Sequence, residues 1–234
     1  MTGRPALALF DLDHTLIPFD SGLAWSRFLM QQGHLPPGFE AGYLEYARQY
    51  AGGTLDFHEL HRWTLAPFAA VPMATLESWR RDFAAQLPPR LPAAALELLQ
   101  RHLQAGDLCA IVTATSRFVS EPFAQALGAP HLVATESEVV DGFFSGAMVG
   151  EPCFRAGKIA HVQRWLAAQG RAWGDFGRSV FYSDSSNDLP LLDAVTHPVA
   201  VGPDVALRKQ ALQRGWPIAE SLDQALRLLP GVPS

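Results

Sequence analysis

Two carboxylates separated by one residue, Asp11 and Asp13 in ALALFDLDHTL, follow directly on five mostly apolar residues. Carboxylates can attack an electrophile, hold a hard cation or pass a proton, and two so close repel unless a cation or a shared proton holds them. A second acidic group, Asp184 and Asp188 in YSDSSNDLPLL with Asn187 beside them, again follows an apolar run. Between the two groups Thr113 closes LCAIVT, and its hydroxyl with the backbone N–H groups of Ala114 and Thr115 can cradle a phosphoryl oxygen where a helix begins. Lys158 stands in the first turn of an amphipathic segment, where a cation opposes the helix dipole and calls for an anion nearby. Each motif alone also admits a plain reading: a strand ending in a polar turn, an Asp or Thr capping a helix, an exposed lysine.

The elements that carry these residues alternate. Residues 6–10 are too few for a helix and too apolar for a loop, which predicts a buried strand of a parallel sheet. Residues 108–113, 132–136, 179–182 and 198–201 read the same way, and helices are expected at 93–104, 117–127, from 157 onward, near 203–213 and at 221–229. The expected fold is α/β, a Rossmann-like parallel sheet with helices on both faces and the chemical side chains at strand C-termini, where open α/β sheets bind ligands. Asp141-Gly142 between two β-favouring runs predicts a hairpin. After Thr15 the pattern turns helical for about 70 residues, long for a βα connection, and predicts an inserted α-helical cap. Its helices are expected from a Ser21 cap onward and at 39–50, 55–65 and 75–87, and PPRLP at 88–92 marks the return. The organisation expected is a catalytic core at 1–16 and 88–234 with a cap domain at 17–87. The stripe Leu76, Trp79, Phe83 and Leu87 reads as cap core, and His58 with His61 as surface or packing groups that lack a third metal ligand.

At 234 residues and 48% hydrophobic the chain can bury a sizeable core. A net charge of −5 with scattered Lys and Arg leaves no basic field, so no nucleic-acid partner is expected. Cys109 and Cys153 form no CxxC, and no apolar run is long enough for a bilayer, so a cytoplasmic protein with no membrane partner is expected.

The ordered set of Asp11 with Asp13, Thr113, Lys158, and Asp184 with Asp188 resembles the haloacid dehalogenase superfamily. The YSDSSNDLPLL stretch, the helical insertion after DLDHTL and the DGFFSG hairpin before Lys158 look like its phosphoserine-phosphatase-like branch. The resemblance implies a Mg²⁺-dependent phosphomonoesterase acting on a small phosphorylated metabolite through an aspartyl-phosphate. Asp11 would be the nucleophile and Asp13 the general acid and then base. Mg²⁺ would lie between the Asp11 carboxylate, the Asp13 backbone carbonyl and Asp184. Thr113, Ala114 and Lys158 would hold the phosphoryl oxygens, with Asp188 orienting Lys158 and the ion's water and Asn187 supporting that loop. A dehalogenase would not need Asp13. A phosphotransferase or phosphomutase would share every motif, and a catalytically silent binding protein could keep the scaffold. A monomer or homodimer is expected.

Asp20 follows at the start of the cap. In phosphoserine phosphatases an acidic residue at the matching position looks toward the substrate's amino group, and an N-cap is the other reading of Asp20. Those enzymes also use a cap Arg for the substrate carboxylate. Laid on this chain without a gap, that position falls on Thr64, and Arg62 would need a shift to serve. An amine-bearing phosphomonoester without a carboxylate, such as histidinol phosphate, fits better than phosphoserine.

Overall fold

The computed structural model describes residues 5–228, so the ends of the expected core at 1–4 and 229–234, with the last residue of the expected final helix, lie outside it. Six parallel strands form one sheet: β1 (Ala6–Phe10), β2 (Leu108–Ser116), β3 (Leu132–Thr135), β6 (Arg178–Ser183), β7 (His197–Val201) and β8 (Ile218–Ala219), in the order β3-β2-β1-β6-β7-β8. Strands β4 (Ser137–Val140) and β5 (Phe143–Met148) make the expected antiparallel hairpin. Its turn needs positive φ at Asp141 (50°) and Gly142 (83°), the pairing that suits a tight hairpin.

Alternation along β1 sends Ala8 and Phe10 to one face and Leu7 and Leu9 to the other, all at 0% exposure, so both faces must be covered by helices. On the Phe10 face lie α5 (Ala93–Gln104), α6 (Arg117–Leu127) and α10 (Leu222–Arg227). Covering the Leu9 face are α7 (Gly157–Ala168), α8 (Leu189–Ala194) and α9 (Val205–Arg214). Between β1 and α5 the chain forms α1 (Ser21–Gln31), α2 (Phe39–Ala51), α3 (Phe57–Leu65) and α4 (Met73–Ala84). Trp25 and Phe28 of α1 meet Phe83 of α4, whose ring reaches Phe123 of α6 at 5.6 Å, so these helices extend the apolar core of the sheet.

Two local expectations are corrected. Strand β2 does not end at Thr113 but runs to Ser116, with its register against β3 shifting between Val112 and Ser116. The extra residues are an irregularity that re-aims side chains at the C-terminal end of this strand. Helix α1 is capped by Asp20, whose side chain accepts from the Leu23 N–H, while Ser21 is its first residue and is buried.

Behind the sheet, fully buried His102 holds Asp107 through Nδ1 at 2.7 Å and the Tyr182 hydroxyl through Nε2 at 2.9 Å. The network pins α5 to β6 under the Phe10 ring, which stacks on Tyr182 at 5.3 Å. His102→Ala strips a buried carboxylate and a buried hydroxyl of a partner, and urea denaturation should show a loss of about 3 kcal/mol; a loss under about 1 kcal/mol would show these groups satisfied elsewhere.

Candidate active site

The tips of β1, β2 and β6 converge with the first turn of α7. Lys158 is 2% exposed, and its Nζ donates at 2.7 Å both to Asp11 Oδ1 and to Asp188 Oδ2. An ammonium has three donors, so one remains beyond this pair. Burial works against its charge, but the Asp11 and Asp188 carboxylates outweigh it and hold Lys158 protonated well above its ordinary range. Ser183 Oγ also donates to Asp188 Oδ2 at 2.8 Å, while Asp188 Oδ1 is buried without a hydrogen-bond partner. Gly157 sets the lysine's position: a Cβ there would lie 2.2 Å from the Pro152 carbonyl oxygen, so only glycine lets α7 start this close to the preceding loop.

Thr15 Oγ1 stands between the other carboxylates, 3.3 Å from Asp11 Oδ2 and 3.0 Å from Asp184 Oδ1. One hydroxyl hydrogen cannot satisfy both, and burial pushes Asp184 up to about 6. Burial likewise raises Asp11 well above its ordinary range, against the pull of Lys158. Negative charge is thus in excess, and the converging atoms are all oxygen. Among the described residues no group of three or more His, Cys, Asp or Glu side chains is placed around one point, so the side chains an ion would find here are the two carboxylates of Asp11 and Asp184 on either side of Thr15 Oγ1. Such a hard, incompletely satisfied oxygen set fits Mg²⁺.

The Asp13 side chain turns away from this pair toward α1. Its Oδ1 accepts from the Ser21 N–H and its Oδ2 from Thr115 Oγ1 at 2.8 Å, with Thr113 Oγ1 at 3.5 Å. Burial first, then the nearby Asp20 carboxylate, push Asp13 up to about 6. Because β2 continues past Thr113, the Thr115 N–H is taken by the Thr113 hydroxyl at 3.2 Å, and the expected cradle at a helix start is instead an irregular strand end presenting Thr113 and Ala114. Asn187 stands in the turn before Asp188 and accepts from Arg155 Nε at 3.0 Å.

Above the strand tips lies a cavity of about 350 Å³ bordered by Asp11, Asp13, Thr113, Ala114, Asp184 and Asn187, and roofed by aromatic residues of α1 to α3. Asp20 borders it, with Leu23 N–H at 2.7 Å and Tyr43 OH at 2.8 Å both on Oδ1. Thr64 faces this cavity, whereas exposed Arg62 lies away from it, beside Ser145–Met148 of the hairpin, so Arg62 does not reach the site. No Lys or Arg borders the cavity among the described residues. His61 packs α3 on the hairpin through the Ala147 carbonyl at 3.3 Å. The contacts that sequence reasoning did not assign are those of Thr15, Ser21, Thr115, Ser183 and Tyr43. Thr15 had a signal, standing four residues after Asp11 in the same motif; Ser21 and Ser183 lie eight and five residues from their carboxylate partners, while Thr115 and Tyr43 meet theirs from distant segments.

The model of the haloacid dehalogenase-like hydrolases matches residues 8–193. A histidinol-phosphatase of Neisseria meningitidis serogroup C is 37% identical over 91% of this chain and 97% of its own length. A phosphoserine phosphatase of Mycobacterium tuberculosis, SerB1, is 33% identical over 98% of this chain and 75% of that protein. Among solved structures, a protein of unknown function from Bordetella pertussis Tohama I superposes with a TM-score of 0.85 at 43% identity, covering 92% of this chain and 98% of that one. A phosphoserine phosphatase carrying a phospho-aspartyl intermediate analogue shares the fold, at a TM-score of 0.69 and 19% identity over 97% of this chain and 99% of its own. The chain belongs to the haloacid dehalogenase-like hydrolases and is a phosphatase of the phosphoserine-phosphatase-like branch. Gly157→Ala must displace Lys158 to clear Pro152, and a misplacement of about 1 Å should lower turnover of an aryl phosphate on the order of a hundredfold, with a melting temperature only a few degrees down. Unchanged turnover would show that the loop yields instead of the helix.

Proposed function

We propose that the enzyme hydrolyses a small phosphomonoester carrying a cationic group and no carboxylate, histidinol phosphate being the substrate that fits best, with residues 17–87 acting as the cap over the core. The observation that carries this reading is the single buried Lys158 holding Asp11 opposite a cavity bordered by carboxylates and by no Lys or Arg among the described residues. An oxygen of Asp11 attacks phosphorus, and the bond to the leaving oxygen breaks as the Asp13 carboxyl gives it a proton. The Asp13 carboxylate then takes a proton from water, whose oxygen attacks the aspartyl-phosphate and releases inorganic phosphate, restoring both side chains. Lys158, with its third donor, and the Thr113–Ala114 strand end receive phosphoryl oxygens. Asp11, the Asp13 carbonyl and Asp184 are the groups to hold Mg²⁺, which when bound neutralises their excess charge and that of the phosphoryl group. Asn187 and Asp188 hold the turn and Lys158 in place.

Asp20 supplies the selective contact. Both its hydrogen bonds fall on Oδ1, which leaves Oδ2 for an ammonium group. Thr64 in place of an arginine, and Arg62 outside the cavity, give a substrate carboxylate nothing to pair with. The named activity of the Neisseria relative supports the same choice. Cys109 and Cys153 are free and buried and no described helix is long and apolar enough to cross a membrane, which supports a cytoplasmic site of action.

Phosphate release from an aryl phosphate should cease with EDTA and return with Mg²⁺, and Asp11→Asn should keep the fold yet fall to about a per cent of wild-type turnover or less. Full activity after exhaustive chelation would remove the metal from the mechanism. In a side-by-side measurement kcat/KM for histidinol phosphate should exceed that for phosphoserine by about tenfold or more, and Asp20→Asn should erase most of the difference. A tenfold preference for phosphoserine would overturn the substrate assignment.

A further inference from the structure

Arg155 takes no part in the chemistry just described, yet its backbone stands at φ 51°, a left-handed conformation that costs a side-chain-bearing residue energy. That turn aims the guanidinium out of the core loop and across to the helical insertion. Arg155 Nη2 donates to the Gly53 carbonyl at 2.9 Å, while Nε donates to Asn187 Oδ1 at 3.0 Å. Gly53 follows the C-terminus of α2, where helix carbonyls lack intrahelical partners and the negative end of the dipole favours a cation. Asn187 adds a second tie, its Nδ2 lying 3.5 Å from the Tyr50 carbonyl. Beside these bonds Phe154 stacks on Phe57 of α3 at 5.2 Å and meets Tyr50 at 5.4 Å, and the guanidinium lies 4.9 Å over the Phe154 ring.

The two core segments making these contacts are the ones that bear Lys158 and Asp188. Arg155 precedes Lys158 by three residues and Asn187 precedes Asp188 by one. Tyr50, Phe57 and Asn187 form a wall of the cavity and Arg155 does not border it, so Arg155 stands behind that wall. We propose that Arg155 is a positioning residue, a latch that docks the α2–α3 corner of the insertion on the core and closes the cavity over the ester's non-phosphate part. The proposal rests on the phosphatase reading above. Inorganic phosphate, held by Lys158 and the strand tips alone, does not need the latch; an ester whose leaving group fills the cavity does.

The test compares wild type, Arg155→Ala and Arg155→Lys with 4-nitrophenyl phosphate as substrate, inorganic phosphate as inhibitor, and hydrogen exchange of the amides at 50–57. With two hydrogen bonds lost, Arg155→Ala should raise KM about tenfold while kcat stays within about threefold. The inhibition constant of inorganic phosphate should move less than about twofold, and exchange at 50–57 should quicken while the sheet stays protected. Arg155→Lys, able to reach one acceptor but not both, should fall between, and millimolar guanidinium should restore part of the loss in Arg155→Ala. The latch is overturned if KM and exchange in the variants match wild type, or if phosphate inhibition weakens in step with KM, which would mark a general disturbance of the core. Should Arg155→Ala fail to fold, the same comparisons on Arg155→Lys decide. A wild type that releases no phosphate yet shows faster exchange in the variants would sink the phosphatase reading and leave the docking contact standing.

Discussion

A buried ammonium between two carboxylates is the constraint on which the other features depend. Moving such ions out of water costs several kcal/mol each, recovered only when geometry and hydrogen bonds are close to ideal, and removing one partner costs about 3–5 kcal/mol. Lys158 meets that condition at 2.7 Å to both Asp11 and Asp188. Three segments must therefore be placed together to a fraction of an ångström. Parallel pairing of β1 with β6, in the register Phe10↔Tyr182, fixes the two carboxylate-bearing tips. Close approach of Gly157 to Pro152 fixes the third. One ammonium stands among the three carboxyl groups of Asp11, Asp184 and Asp188, and on the side away from Lys158 the Thr15 hydroxyl lies between Asp11 and Asp184.

Much of the molecule was legible because its signals are local. Short apolar runs ending in carboxylates announce buried parallel strands, and the order of four chemical motifs carries far more information than any one of them. The cap helices were likewise visible in apolar spacing, and Asp141-Gly142 in its turn chemistry. What escaped depends on partners far away in the chain. The extension of β2 to Ser116 follows from its pairing with Thr135, and LCAIVT alone gives no hint of it. Thr115 is a common polar residue until tertiary structure brings it to Asp13, 102 residues away in the chain. Arg62 and Thr64 are two apart on a short helix, so they point to different sides; the cavity takes Thr64 and the hairpin face takes Arg62.

The insertion and the sheet are less separate than their sequence patterns suggest. Apolar packing runs from Trp25 through Phe83 to Phe123 without a polar layer, which ties α1 and α4 to α6. On the other flank α3 rests on the β4–β5 hairpin, and the Met73 N–H at the start of α4 donates to the Gly142 carbonyl in the hairpin turn at 2.8 Å. The hairpin thus belongs in sequence to the later half of the chain and in packing to the roof of the cavity. By contrast the α2–α3 corner meets the core loops through the polar bonds of Arg155 and Asn187 and the rings around Phe154. An element held this way opens at lower cost than one that shares a continuous apolar core.

Helix α1 shows how the two halves of the cavity are tied. Its first turn offers N–H groups with no intrahelical partner, and the chain gives one to each of two carboxylates: Ser21 N–H to Asp13 and Leu23 N–H to Asp20. The positive end of the helix dipole makes that start a favourable place for both carboxyl groups, which would otherwise face each other unscreened. Gly22 lies between them, and a Cβ there would come within 2.2 Å of the Tyr43 hydroxyl that completes the hold on Asp20. The residue proposed to give up a proton and the residue proposed to select a cation are therefore fixed by the same few backbone atoms. A shift of α1 would disturb both at once, and α1 is the helix that Trp25 and Phe28 lock into the apolar core.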